Sequence, residues 1–190
     1  MMNSYNWEQR YQDKNTPWTL NQVSPPIKAY FNQKEIKGKI LIPGCGMGFE
    51  AQYLYELGHE VYILDISNSA IKEFRLKFPD FPEGHIFCQD FFNHELKYDL
   101  ILEQTFFCAL PPELRKDYVE QTSALLNKNG RLMGLFFEGT GNEGGPPFKL
   151  PKDTYNDLFK NDFKIKKIVP CYNSIKPRQG SELFFIFDKI

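Results

Sequence analysis

At 190 residues, with 42% of side chains apolar, the chain can bury the core of one domain and leaves no room for a second catalytic one. Lys plus Arg number 23 against 24 Asp plus Glu, so no single-signed surface is available to track a phosphate backbone, and nucleic acid is excluded as an expected partner. No charged-then-apolar leader precedes Trp7, no run approaches the ~18 apolar residues of a membrane span, and Cys45, Cys88, Cys108 and Cys171 form no C-x-x-C pair; the expectation is a cytoplasmic protein with free thiols and no membrane partner.

Residues 1 to 37 precede the first predicted strand, and their segment NWEQRYQDKNTPW places Trp7, Tyr11 and Trp18 close together ahead of Pro25 and Pro26. Taken alone, aromatics there read as packing against the domain. Apolar runs then alternate with amphipathic segments, the pattern of an α/β sheet covered on both faces. Strands are predicted at 39–43, 60–65, 84–88, 98–103 and 131–137, in five βα units. EAQYLYELG, SNSAIKEFRLKF and PELRKDYVEQTSALLNKNG carry helical periodicity, with Ser67 as an N-cap, Pro112 at a helix start, and Gly58 and Gly130 as stops. After residue 150, DTYNDLFKN is a short helix, and FKIKKIVP and ELFFIFDKI are strands joined by a polar loop around Lys176 to Ser181. One domain over 1–190 is expected: a Rossmann-like, mostly parallel sheet closed by a C-terminal antiparallel hairpin, with 1–37 as an arm. His59, His85 and His94 lack metal-ligand spacing, so no metal site is expected.

The densest signal is KILIPGCGMG at 39–48, followed 21 positions after Gly44 by Asp65 at the end of EVYILD. A strand that breaks into glycines before a helix lets backbone approach a ligand closely. A carboxylate at the tip of the next strand can accept both hydroxyls of a ribose. The pattern predicts an adenosine-containing cofactor. A dinucleotide fingerprint counted from Gly44 would place its third glycine at position 49, which is Phe49; the glycine is Gly48.

Pro43-Gly44-Cys45-Gly46-Met47-Gly48 resembles the first motif of class I S-adenosylmethionine methyltransferases. More of the chain resembles the thiopurine S-methyltransferase superfamily, in particular its thiol, halide and thiocyanate branch. The resemblance is carried by Trp7-Glu8, Tyr11, Thr16-Pro17-Trp18, LIPGCGMGFE, LDIS, QDFF at 89–92, YDLILEQTFFCALPPELR at 98–115 and GGPPF at 144–148. It implies methyl transfer from S-adenosylmethionine, leaving S-adenosylhomocysteine, to a small soft nucleophile in a monomer, with residues 1–37 as a lid. By that resemblance Gly44, Cys45 and Gly46 approach the methionine part, Asp65 and Ile66 the ribose, Asp90 and Phe91 the adenine, and Gln104 the methionine group. Trp7 and Trp18 close over the sulfonium, whose positive charge an aromatic face attracts by ~0.5–2 kcal/mol. Phe106, Phe107, Cys108, Phe137 and Phe148 are expected around the methyl group, with Arg115, and secondarily Arg178, facing an anionic acceptor.

Two positions depart from the pattern. The halide branch has a tyrosine after the fifth strand where this chain has Phe137, followed by Glu138 in place of proline, and Phe148 stands where tyrosine is common. A greasier pocket favours thiols or sulfide over halides. The expected reaction is an in-line displacement needing proximity and exclusion of water, and no catalytic acid or base is nominated. Competing readings are a nucleic-acid or protein methyltransferase, which lacks its Asp/Asn-Pro-Pro-aromatic motif at Glu103-Gln104-Thr105, an NAD-dependent oxidoreductase, which fails on glycine spacing, and a non-catalytic cofactor sensor.

Overall fold

The computed structural model describes residues 6–34, 36–140 and 144–190, so the first five residues of the arm and position 35 lie outside the described structure. Strands β1 (Lys39–Pro43), β2 (Glu60–Asp65), β3 (Ile86–Cys88), β4 (Tyr98–Gln104), β5 (Leu126–Phe137), β6 (Phe163–Pro170) and β7 (Glu182–Lys189) make one seven-stranded sheet in the order β3-β2-β1-β4-β5-β7-β6. The first five run parallel, and β7 is antiparallel to both β5 and β6, as the hairpin pattern predicts. Period-two alternation sends Ile40, Ile42, Leu100 and Leu102 to one face and Leu41, Ile101, Leu132 and Phe136 to the other, so both faces hold a core layer. Helices α2 (Pro25–Phe31), α3 (Phe49–Glu56) and α4 (Asn68–Lys77) cover the first face; α5 (Arg115–Leu125) and α6 (Lys152–Phe159) cover the second. On the second face Phe136 lies between the rings of Tyr155 from α6 and Phe185 from β7, at 4.3 and 3.8 Å.

The structure corrects two expectations. The helix predicted over 112–130 is a 3-10 turn at Pro112–Leu114 followed by α5, and β5 begins at Leu126. The ladder captures the end of the helical pattern: Leu126 pairs with Tyr98, Asn127 Nδ2 donates to Asp99 Oδ1 (2.8 Å), and Lys189 Nζ donates to the Leu126 carbonyl (2.8 Å). The series of five βα units is also interrupted, because β3 reaches β4 through a 3-10 turn at Phe91–Asn93 with no helix. Too few residues separate these strands, and Gln121 of α5 satisfies the Phe91 and His94 carbonyls instead. Short helix α1 (Trp7–Gln12), capped by Asn6 Oδ1 accepting from the Gln9 amide (3.0 Å), belongs to the arm.

Candidate active site

The strand order reverses between β1 and β4, the point where an open α/β sheet leaves a crevice beyond its C-terminal strand ends. The glycine loop after β1 lies there. Cys45 N donates to the Leu64 carbonyl (3.1 Å) and Gly46 N to Asp65 Oδ2 (2.9 Å), tying the loop to β2. Gly44 and Gly46 have φ of 58° and 52°, a left-handed conformation that glycine adopts without steric cost. A side chain would also collide: at 44 with the Phe106 ring, and at 46 with the Tyr11 hydroxyl 2.6 Å away.

Asp65 is 6% exposed, and its Oδ1 accepts from the Ser67 amide (2.9 Å). Burial pushes its carboxyl above the usual range, while the Ser67, Gly46 and Ile66 amides pull it back. A carboxylate has about four lone-pair sites, more than these amides fill, so a ligand hydroxyl can still bond there. Ser67 Oγ caps α4 by accepting from Ala70 N, as its sequence position predicts.

After β4 the chain turns sharply. Thr105 has φ 59°, unusual for a β-branched residue, and Gln104 presents a buried Oε1 that no donor among the described residues reaches. Phe106 meets Phe91 edge to face at 5.2 Å.

Residues of the arm line the crevice as well. Trp7 and Trp18 meet edge to face at 5.4 Å, Trp18 Nε1 donates to Tyr11 Oη (3.4 Å), and the Arg10 guanidinium lies 4.7 Å over the Trp18 ring. Polar contacts fasten the arm to the domain at several places. Glu8 accepts from Ser67 Oγ, Ser69 N and Ser69 Oγ at 2.8, 3.0 and 2.6 Å, at the start of α4. Ser24 N donates to Glu50 Oε1 (3.0 Å), and Arg178 Nη2 donates to the Trp18 carbonyl (2.7 Å). The Ser69 bonds, then those of Ser67 and Gln12, hold the Glu8 carboxyl at about 2. A carboxyl depressed in the fold stabilises it above its unfolded value, so this contact is complete above about pH 4.5 and lost only as pH falls toward 2.

These elements line a cavity of about 470 Å³. Of the residues expected at the site, Trp7, Trp18, Gly44, Cys45, Gly46, Asp65, Ile66, Phe91, Gln104, Phe106, Cys108, Phe137 and Arg178 line it. Four others stand elsewhere. The Asp90 carboxylate caps the Phe91–Asn93 turn by accepting from Phe92 N (3.0 Å), off the wall. Phe107 points into the second core layer against Phe136, Tyr155 and Phe159. Phe148 is buried behind the wall, its amide donating to the Cys108 carbonyl (2.7 Å). Arg115 opens α5 beside Tyr155, half-buried and off the lining, and burial lowers its pKa. Cys108 is buried, which pushes its thiol well above the ordinary value, so it packs as a neutral side chain.

Tyr11, Arg10, Glu50, Lys149, Pro146 and Pro147 also line the cavity, and sequence reasoning assigned none of them there. Tyr11 and the prolines lie inside quoted motifs, a signal that was available. Glu50, the last residue of LIPGCGMGFE, shares that signal, whereas Lys149 carries none.

A crevice between β1 and β4 with a left-handed glycine loop, a buried acidic residue ending β2 and an antiparallel seventh strand defines a class I S-adenosylmethionine-dependent methyltransferase. Solved structures share the fold: a 1,6-didemethyltoxoflavin-N1-methyltransferase from Burkholderia thailandensis with bound S-adenosylhomocysteine has a TM-score of 0.76 at 19% identity over 95% of this chain and 84% of that one. A TehB-like S-adenosylmethionine-dependent methyltransferase from Corynebacterium glutamicum has a TM-score of 0.70 at 18% identity, covering 96% and 98%. The chain belongs to the thiopurine S-methyltransferase family, whose model matches residues 2–185. It is 32% identical over 183 residues to probable thiol methyltransferase 2 of Arabidopsis thaliana, covering 93% of this chain and 81% of that protein. It is also 32% identical to thiocyanate methyltransferase 1 of Brassica oleracea, covering 97% and 84%, and 26% identical to thiopurine S-methyltransferase of Aliivibrio fischeri (strain MJ11), covering 85% and 84%. It is thus an S-adenosylmethionine-dependent small-molecule S-methyltransferase.

The site fits that cofactor. The space left by Gly44 and Gly46, the unpartnered Gln104 Oε1 and the lone pairs of Asp65 match a ligand with a polar amino-acid end and a ribose. No helix among the described residues is long and apolar enough to cross a membrane.

Proposed function

We propose that the methyl acceptor is a small thiol or sulfide, bound at the apolar end of the cavity as its anion. The carrying observation is the composition of that end: Phe106, Cys108, Phe137, Pro146 and Pro147 form the wall, and the Arg178 guanidinium lies 5.4 Å over the Phe137 ring. A soft thiolate tolerates an aromatic wall, and one cation favours its ionised form. A strongly hydrated anion needs more donors than this wall offers.

S-adenosylmethionine, when bound, supplies a methyl group activated by an adjacent sulfonium. Gly44, Gly46, Asp65 and Gln104 hold and orient it, with Ile66 and Phe91 as apolar contacts. Trp7 and Trp18 exclude water and present aromatic faces to the positive charge. Arg178 holds the acceptor anion. Alignment and desolvation are the protein's main contributions, because a thiolate needs little further activation. Thiocyanate or halide is the second reading, favoured by the relative named a thiocyanate methyltransferase and by Lys149 as a further cation on the lining. A cytoplasmic location and a monomeric state belong to the same proposal.

A panel of small thiols, sulfide, thiocyanate and iodide in a methyl-transfer assay is the test. Thiols and sulfide are expected to give the higher kcat/KM, and iodide turned over as well as any thiol defeats the reading. Phe137→Tyr is expected to raise the halide-to-thiol ratio by about tenfold, since a hydrogen bond to an anion contributes ~1.5–3 kcal/mol.

The arm is proposed to work as a lid. Hydrogen exchange over residues 6 to 25 should slow when S-adenosylhomocysteine is added, because Trp7 and Trp18 then gain a partner. Equal protection with and without ligand would assign those tryptophans to packing alone.

A further inference from the structure

Glu103, next to last in β4, is 1% exposed and does not line the cavity. Its Oε1 accepts from two consecutive backbone amides, Phe106 (2.8 Å) and Phe107 (2.9 Å), and its Oε2 accepts from Tyr118 Oη of α5 (2.8 Å). These bonds bracket the turn whose residues Gln104, Thr105 and Phe106 all line the cavity. They hold Thr105 at φ 59°, a conformation that costs a β-branched residue roughly 1–3 kcal/mol unless its surroundings impose it. Through the same turn, the Phe106 ring occupies the space that a side chain at Gly44 would need. Cofactor loop and acceptor wall therefore share one support.

We infer that Glu103 is a positioning residue of this methyltransferase: its ionised carboxylate holds the turn that presents Gln104 and Phe106 to the bound ligands, and losing that charge loosens the turn. Hydrogen bonds to a carboxylate are about twice as strong as those to a neutral carboxyl, so protonation weakens both amide contacts together.

The titratable groups facing Glu103 are Cys108 in the following turn, Tyr118 on α5 and Tyr155 on α6, and burial pushes each of them up, which keeps them neutral. Arg178 and Arg115 act on Cys108 and Tyr155 respectively. Burial raises the Glu103 carboxyl to about 7 against the pull of its donors, which puts its proton exchange inside the working range.

The test measures S-adenosylhomocysteine affinity and kcat/KM with an electron-poor aryl thiolate that stays ionised, between about pH 5.5 and 8.5, in wild type and Glu103→Gln. Only the kinetic arm rests on the thiol reading. For one proton exchanged near 7, wild type should lose about tenfold in both quantities from about pH 8 to about pH 6. Glu103→Gln should show no bend near 7, lie at the low level throughout, and melt above wild type at about pH 8. The sign of that last effect follows from linkage. The folded carboxyl titrates near 7, above its ordinary 4.5, so the stability it contributes is present below 4.5 and lost as pH rises to 7. A carboxylate that only braced the fold would make the variant less stable while leaving its pH profile parallel to wild type.

A wild type without the bend, or a variant that keeps it, overturns the assignment. Should the variant not fold, carbon-detected NMR of wild type must show the Glu103 carboxyl and the Phe106 and Phe107 amides titrating together near 7, and amides that do not follow overturn it. An aryl thiolate not methylated at any pH defeats the acceptor reading alone, and the affinity profile still decides Glu103.

Discussion

Asp65→Ala is expected to lower affinity for S-adenosylhomocysteine by tenfold or more, and up to roughly a hundredfold. The carboxylate ends β2 at the cavity wall with each oxygen already holding a backbone amide, Gly46 at one and Ser67 at the other. Removing it takes away the acceptors proposed for two ribose hydroxyls and also releases the Gly46 amide of the left-handed glycine loop. A hydrogen bond to a charged group contributes ~1.5–3 kcal/mol, and each 1.4 kcal/mol is about a factor of ten in affinity. Asp65→Asn, which keeps one acceptor, should fall between the two. Calorimetric titration measures this, and an unchanged affinity in Asp65→Ala would remove the residue from the site.

Arg178→Met is expected to act on stability and on the arm together. Arg178 and Glu182 are 7% and 4% exposed, with Nη1 and Oε1 3.3 Å apart. Breaking such a pair from one side leaves an uncompensated buried charge, costing about 3 kcal/mol at the lower end for this long contact, or roughly 6–12 °C in melting temperature for a domain of this size. The Trp18 carbonyl loses its donor at the same time. Arg178→Met/Glu182→Leu should recover most of the melting temperature, because no charge is then stranded. Hydrogen exchange around residues 17 to 24 should remain fast, because the arm is still unlatched. A single variant that melts like wild type would mean the pair is not needed for stability. A double variant with wild-type arm protection would place the latch elsewhere.

Much of this protein is written locally. Period-two and period-3.6 patterns specify β1, β2, β4, α3 and α4 to within a residue or two, because burial on a sheet face or helix stripe is a local demand on residue type. The glycine loop and Asp65 are legible for a similar reason: close backbone approach admits few residue types, and a carboxylate at a strand end has few uses. The terminal hairpin is legible because a polar loop too short for a crossover separates two apolar runs.

What remained hidden depends on partners far away in the chain. Phe106 and Phe107 are adjacent and chemically alike, yet one lines the cavity while the other packs against Phe136 of β5 and Tyr155 and Phe159 of α6. Arg115 and Arg178 differ in the same way. Arg115 opens α5 away from the cavity, whereas Arg178 is drawn in by Glu182 and by a carbonyl 160 residues earlier. The end of the helix predicted to 130 was taken by pairing with β4, since ladder bonds and burial of Leu126 outweigh a few residues of helical pattern. By itself the sequence determined the class of fold, the cofactor loop and the acidic residue beside it, since these follow from short-range periodicity and backbone sterics. Tertiary structure alone decided which aromatic and which arginine reach the site and how the arm is fastened, because a side chain's direction in an irregular turn is set by hydrogen bonds from elements distant in sequence.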